Sequence, residues 1–303
     1  METVAITMAG FGNVGKAFAR LVHYKHAEIM AAYGMNLKII GISTRSHGSL
    51  NLKNGFDLAT LSDFTGNFNE QNFPGGTSYR DTLEMISNSQ ADIFIENSPV
   101  NYENGQPAVS YITRALEKGM HAVTANKGPI VHAYAHLQEL ASQHGKKFLF
   151  ESTVMDGAPV FSVVREALPV MHIEGFEGIL NSCTNLILCR MESGESFEEA
   201  VYYAQSIGIA ETDPSGDIDG WDAAVKVAAL ATVLLGYPST PQDVQRQGIR
   251  SITQQDIHAA RQAGKRWKLV CQAEKKEDQW LLSVSPKMID SSSPYFRFYC
   301  TPH

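Results

Sequence analysis

The chain opens on an apolar run at residues 4–9 (VAITMA), then GFGNVG from Gly10 to Gly15, then KAFARLVHYK at helical spacing. Few folds accommodate that order. Strand, glycine turn and helix open a dinucleotide-binding βαβ unit. Gly10 suits the tight turn, Gly12 the close approach of a pyrophosphate, and Gly15 close packing of the helix. The first N–H groups of the helix would meet the phosphates with a partial positive charge behind them. Phe11, Asn13 and Val14 complete the turn, so residues 10–15 are all candidate cofactor contacts.

Residues 37–43 (LKIIGIS) read as the second strand. An NAD-selective site usually places Asp or Glu at its end to hold the ribose 2′-hydroxyl. Here the chain runs Ser43-Thr44-Arg45-Ser46. Hydroxyls and a guanidinium suit a 2′-phosphate better, because Arg meets phosphate oxygens with a two-pronged fork. The expected cofactor is therefore NADP, with NAD as the alternative if Arg45 is an ordinary surface residue. Residues 48–80 are polar and rich in Gly, Asn and Ser, and read as a loop-rich insertion with a short helix near 58–64.

Alternation then resumes. Strands are expected at 91–96, 121–124 and 147–151, and helices at 108–118 and 130–144. Strands separated by helices of ten or more residues argue for an α/β fold with a Rossmann-type, doubly wound parallel sheet. Ligands bind such sheets beyond the carboxyl ends of the strands. Asn97, Ser98 and Lys127 stand at those ends and are candidate cofactor contacts. Lys127 is either a catalytic lysine in the crevice or a solvated loop residue.

The 303 residues suit two domains. After Glu151 the pattern becomes mixed α+β, with helices expected at 161–168, 185–191, 197–207, 219–235 and 254–263, and strands at 173–180, 268–273 and 279–284. The expected division is a nucleotide-binding domain at 1–150, a substrate-binding and dimerisation domain at 151–290, and a tail at 291–303. A net charge of −7 with no basic run argues against nucleic acid. No apolar run reaches membrane-spanning length, and the start lacks a signal-peptide pattern. Cys183, Cys189, Cys271 and Cys300 are scattered without a C-x-x-C pair, which fits a reducing cytoplasm.

One segment invites chemistry. Residues 210–226 (AETDPSGDIDGWDAAVK) gather Glu211, Asp213, Asp217, Asp219 and Asp222 and run into the apolar stretch VAALATVLLG. Carboxylates held against an apolar wall can have shifted pKa values and can hold a cationic substrate group. Asp222 and Lys226 are four apart and share a helical face. The alternative is an acidic surface loop with a helical ion pair.

Longer motifs then resemble homoserine dehydrogenase: TANKGP at 124–129, FESTVMDGAPV at 150–160, GILNSCTNLIL at 178–188, FEEAVYYAQSIGIAETDPSGDIDGWDAAVK at 197–226, and GFGNVG itself. The resemblance implies a reversible NAD(P)-dependent reaction between homoserine and aspartate 4-semialdehyde, in threonine and methionine biosynthesis. It also implies a homodimer built through the second domain. It assigns catalysis to Lys127 and Lys226, and substrate-binding and catalytic acids to Glu211, Asp217 and Asp222. It implies that Glu151, Val154, Asp156 and Ala158 hold a sodium ion, largely through backbone carbonyls; ordinary loop backbone is the other reading. Hydride transfer to an aldehyde leaves charge on oxygen, which a lysine ammonium can stabilise and protonate. Glu211 and Asp222 would grip the substrate's α-ammonium group. Lys226 is then the main acid/base group. Lys127 assists, in proton relay or by holding the nicotinamide or substrate. Asp213 and Asp219 are expected to serve turn formation and helix capping.

The chain departs from the family at two places. The family commonly reads N-G-T-x-N where this chain has Asn181-Ser182-Cys183-Thr184-Asn185. Cys183 is either a reactive thiol near the substrate or a small buried filler. Family members usually continue with an element that returns to the nucleotide domain, whereas this chain ends SSSPYFRFYCTPH. The aromatic residues Tyr295, Phe296, Phe298 and Tyr299 are expected to replace part of that element or to pack at a subunit interface. A dehydrogenase acting on another small amino-acid alcohol or hydroxy acid, and a non-catalytic NADP-binding relative, are the competing readings. Retention of the acids at 211, 217 and 222 and of both lysines weighs against them.

Overall fold

A computed structural model describes residues 2–298, so Tyr299 and Cys300 lie outside the described residues. The chain forms two compact units, Met1–Ala158 and Pro159–His303.

The first unit runs β1 (Glu2–Ala9), α1 (Asn13–Tyr24), α2 (His26–Tyr33), β2 (Met35–Thr44), β3 (Gly48–Asn51), α3 (Leu58–Leu61), β4 (Thr77–Ser78), α4 (Thr82–Asn88), β5 (Ile93–Glu96), α5 (Ala108–Glu117), β6 (His121–Thr124), α6 (Lys127–Gln143) and β7 (Phe148–Leu149). Its sheet has the order β4-β3-β2-β1-β5-β6-β7. The five strands from β2 to β7 in that order are parallel, while β3 and β4 pair antiparallel at one edge. This is the Rossmann-type doubly wound sheet. From β1 the chain goes first to β2 on one side and later to β5 on the other, so the crevice for a ligand opens where β1 meets β5. Ile6, Met8, Ile39 and Ile42 are almost fully buried, the apolar runs that parallel strands covered on both faces require.

Two expectations change here. Residues 48–80 form more than loop. Besides α3, the short helix expected near 58–64, they supply β3 and β4, and Phe56, Phe64, Phe68 and Phe73 assemble an aromatic cluster that reaches Phe11. The polar average of the segment hid four rings spaced to meet. The strand expected at 147–151 shortens to Phe148–Leu149, and Glu151 opens a single 3₁₀ turn instead. Thr153 closes that turn, donating both its N–H (3.1 Å) and its hydroxyl (2.8 Å) to the Phe150 carbonyl.

The second unit runs α7 (Val160–Ser162), continuing as a π-helical stretch Val163–Ala167, then β8 (Gly175–Gly178), α8 (Ser182–Glu192), α9 (Phe197–Ser206), α10 (Ser215–Ile218), α11 (Trp221–Leu234), β9 (Gln245–Arg246), α12 (Gln254–Gln262), β10 (Arg266–Lys276) and β11 (Gln279–Ile289). The sheet order is β8-β10-β11-β9. β10 and β11 form a long antiparallel hairpin. α9 starts on a capping box, with Ser196 and Glu199 bonding each other's backbone. The helix expected at 219–235 forms as α11 and starts two residues later, because Gly220 adopts φ +80 as its N-cap and Asp219 caps the end of α10. α11 is apolar around nearly its whole circumference, from Ala223 to Ala231, because it is the buried helix of this unit. Behind α8, the fully buried Lys268 donates to Asn185 Oδ1 (2.6 Å) and to the Phe298 carbonyl (2.7 Å), which fixes the end of the described chain. Tyr295 donates its hydroxyl to the Glu177 carbonyl at 2.7 Å.

Candidate active site

In the first unit the glycine turn has the geometry a dinucleotide needs. Gly10 sits at φ +86, and a Cβ there would lie 2.3 Å from the Asn97 carbonyl oxygen, so no other residue fits. Gly12 caps α1 without any side-chain cap, which leaves the first N–H groups of the helix uncapped by protein side chains. A Cβ at Gly12 would meet nothing within 4 Å, so the backbone there is open to a ligand. Asn13 and Val14 are exposed on the first turn of α1. Phe11 differs: its ring is buried edge-on against Phe68, with centroids 5.5 Å apart. Any contact of Phe11 with a cofactor would come from its backbone.

At the end of β2, Ser43 is buried, and its hydroxyl bonds those of Ser49 (2.5 Å) and Thr82 (2.7 Å). It therefore faces the interior and is unsuited to a ribose phosphate. Thr44 accepts the His47 N–H at 2.8 Å and tightens the turn. Arg45 stands exposed at the tip of that turn.

Across the crevice, Ala9, Glu96 and Thr124 lie in one row of the sheet. Glu96 is completely buried. Its Oε1 accepts the Ser98 N–H at 2.7 Å and also the Ser98 hydroxyl, and its Oε2 accepts the Thr124 hydroxyl at 2.8 Å. Thr124 Oγ1 accepts the Asn126 N–H (2.9 Å), and Asn126 Nδ2 donates to the Ser98 carbonyl (3.3 Å). Asn126 Oδ1 caps α6 through the Gly128 N–H at 2.9 Å. Burial pushes the Glu96 carboxyl above the usual carboxylate range, and the Ser98, Thr124 and Asn126 donors pull it back part of the way. Lys127 follows Asn126 as the first residue of α6, half-buried. A cation at the positive end of a helix is disfavoured by about 0.3–1 kcal/mol, so fold stability does not explain it. Ser98, read from sequence as a cofactor contact, spends its hydroxyl and N–H on Glu96.

In the second unit, four side chains meet at the starts of α8 and α11. Asn181 caps α8 by accepting the Thr184 N–H at 2.8 Å, which fixes its amide orientation. Its Nδ2 then donates to Asp217 Oδ1 (2.6 Å) and Asp222 Oδ2 (3.1 Å). Lys226 Nζ lies 2.8 Å from Asp222 Oδ2 and donates to the Leu180 carbonyl, also at 2.8 Å. The Lys226 and Asp222 side chains are only 16% and 17% exposed, so this ion pair is no surface decoration. Cys183 is buried beside the group, and its thiol is pushed up to about 12 by burial, then by Asp217 and Asp222. A thiol so neutral packs rather than reacts.

The other acids separate from this cluster. Glu211 is exposed and stands outside the bonded group; its carbonyl accepts from Gln205 Nε2 at 3.2 Å. Asp213 accepts the Ser215 N–H, and hydrogen bonds from Ser215 hold its carboxyl below the usual range. Asp219 takes a two-pronged bond from Arg250 (2.8 and 3.0 Å), which lowers its carboxyl. Along 151–158, Glu151 is half-buried, Val154 buried, Asp156 exposed and Ala158 half-buried, in one irregular turn.

Sequence reasoning missed Glu96 and Asn181. The signals were present: a carboxylate ending the apolar strand Ile93–Ile95, and an Asn directly before a helix.

The model for the NAD-binding domain of homoserine dehydrogenase matches residues 10–151, and that for homoserine dehydrogenase matches residues 159–300. The chain is 37% identical over 296 residues to the NAD(+)-dependent homoserine dehydrogenase of Pseudomonas canavaninivorans, covering 97% of this chain and 84% of that one. It is 34% identical over 293 residues to the homoserine dehydrogenase of Methanocaldococcus jannaschii, covering 95% and 85%. The crystal structure of a homoserine dehydrogenase from Thiobacillus denitrificans superposes with a TM-score of 0.79 at 26% identity, covering 97% of this chain and 63% of that one.

Proposed function

This chain belongs to the homoserine dehydrogenase family, and from that premise we propose that it interconverts homoserine and aspartate 4-semialdehyde, with Lys226 as the acid/base. The observation that carries this reading is the setting of the Lys226 ammonium. Among the described residues, two of its three donor directions go to Asp222 and Leu180, which leaves the third for a substrate oxygen. The nicotinamide, when bound, supplies the hydride chemistry. Lys226 delivers a proton to the substrate oxygen in reduction and removes it in oxidation, and stabilises charge there meanwhile. Asp222 sets the lysine's position, Asn181 bridges Asp217 and Asp222 through its Nδ2, and Asp217 completes the acidic wall. Asp222 and Glu211 take the substrate's α-ammonium group. Lys127 assists, in proton relay or in holding nicotinamide or substrate.

The glycine turn fits a dinucleotide: Gly12 is open and the helix behind it uncapped. NADP is the proposed cofactor, because Arg45 is the exposed charged group at the β2 turn and no carboxylate lies within 43–48. A second reading, NAD, is favoured by the similarity to the NAD(+)-dependent homoserine dehydrogenase of Pseudomonas canavaninivorans. Incubating purified protein with homoserine and either cofactor, and following reduced nicotinamide by absorbance, tests both readings. Absence of turnover with both would overturn the proposed activity.

The oxygens of Glu151, Val154, Asp156 and Ala158 are hard donors of the kind alkali cations take, and sodium is proposed there. A homodimer formed through the second unit is also proposed, to be read from light scattering. Among the described residues no helix is long and apolar enough to cross a membrane.

A further inference from the structure

We propose that Glu96 is a positioning residue of this enzyme, one that locks the loop after β5 to the turn before α6 and so sets Lys127 in place. The proposal rests on the dehydrogenase reading for its consequence in turnover, and on geometry alone for its consequence in structure.

A carboxylate ending an apolar strand is an expensive choice unless something needs it. Among the described residues no lysine or arginine pairs with Glu96, so it does not serve an ion pair. What surrounds it is a closed circuit. Glu96 accepts from Ser98 and from Thr124, Thr124 accepts from Asn126, and Asn126 donates back to Ser98. The circuit starts at the last rung between β5 and β6, the Glu96–Thr124 pair, and extends past it to Ser98 and Asn126.

The circuit holds the two things an active edge needs. Between Glu96 and Ser98 lies Asn97, whose N–H donates to the Ala9 carbonyl at 2.7 Å and whose own carbonyl fills the space a Cβ at Gly10 would take. The loop after β5 is therefore pressed against the glycine turn. On the other arm, Asn126 caps α6, and Lys127 is the next residue. Glu96 touches no ligand site, since it has no exposed surface. It acts through its neighbours.

The chemistry explains why the residue is an acid. Its two oxygens face donors only, two from Ser98, one from Thr124 and the Asn126 amide, while the Thr124 oxygen is already accepting from the Asn126 N–H. Only an acceptor-only group satisfies that set. A glutamine of the same shape would keep its oxygen on Ser98 and turn an N–H₂ toward Thr124, whose hydroxyl proton then loses its acceptor.

The test uses Glu96→Gln, Thr124→Val and the double variant in the full chain. Hydrogen exchange is read on peptides covering residues 97–101 and 124–130. Each single variant should raise exchange there by roughly tenfold or more while the far strands stay protected, because the change is local opening and not global unfolding. Turnover is read alongside. If Lys127 is displaced, kcat should fall by roughly ten- to a hundredfold while NADPH affinity, read by fluorescence, changes less than about threefold. The double variant should be no worse than the worse single one, since both break the same circuit. Unchanged local exchange in both single variants, or additive losses, would overturn the proposal. Should Glu96→Gln fail to fold, Thr124→Val reads the same circuit alone. If wild type turns over no homoserine, the activity reading fails, while the exchange data still decide the role of Glu96.

Discussion

The ammonium of Lys226 lies 2.8 Å from the Asp222 carboxylate one helical turn before it, both side chains more than four-fifths buried. A pair of this kind at i, i+4 is ordinarily worth a few tenths of a kcal/mol on a helix surface. Here it stands at the mouth of a buried helix, and a carbonyl from Leu180 braces the lysine from another element. On the proposed reading, the pair fixes where a proton is exchanged.

Lys226→Ala should lower kcat by about 10²–10⁴-fold, the usual range for a positioned acid/base group. Far-UV circular dichroism should stay at the wild-type signature, since α11 keeps its apolar faces. Turnover near wild type would reject the assignment.

Asn181 does two jobs, and two substitutions separate them. Asn181→Ala removes the α8 cap, which should cost about 0.5–2 kcal/mol of stability, and also frees Asp217 and Asp222 to repel. Asn181→Asp keeps an acceptor for Thr184 but places a third carboxylate against two others. Asn181→Asp should lose at least as much kcat/KM, and like-charge repulsion should offset more of the retained cap's thermal stability as pH rises. The two measurements together, a melting curve and a homoserine titration, check the division.

Arg45→Ala should raise KM for NADP by roughly ten- to a hundredfold, the equivalent of a hydrogen bond to a charged group at about 1.5–3 kcal/mol. KM for NAD should stay near its wild-type value. Equal loss with both cofactors would show that Arg45 does not read the ribose.

The Cys183 thiol makes a pH prediction. Its ordinary value is 9 and burial raises it to about 12. Between those values the folded chain keeps a proton that the unfolded chain releases, so this group's contribution to stability is lost as pH rises across that window. Cys183→Ala should flatten the fall in unfolding free energy there. Cys271, raised to about 11 by burial, should leave a residual slope. Alkylation of Cys183 in the folded protein at neutral pH should be slow for the same reason.

Much of this was legible in sequence because it is local. Strand, Gly10 turn and helix announce themselves by period and punctuation, and so does the Ser196–Glu199 capping box. Asp222 and Lys226 could be paired from spacing alone. What escaped depends on distant contacts. Glu96 looked like the end of a strand until Thr124 and Asn126 closed around it. Asn181 and Asp217 are 36 residues apart and meet only through the fold. Phe11 sat within a cofactor motif, yet its ring belongs to an aromatic cluster whose other rings, such as Phe56 and Phe68, lie dozens of residues on. The start of α11 was read two residues early because the φ of +80 at Gly220 leaves no trace in hydropathy.

The turn that carries Arg45 is not a free-standing loop. Phe68 donates its N–H to the His47 carbonyl, and its ring meets Phe11 within the glycine turn. Re-engineering the cofactor preference of this enzyme by transplanting residues 44–48 from a relative would thus cut a scaffold in half. The portable module is larger: the turn, the aromatic residues from Phe56 to Phe73 and the ring of Phe11 would have to travel together.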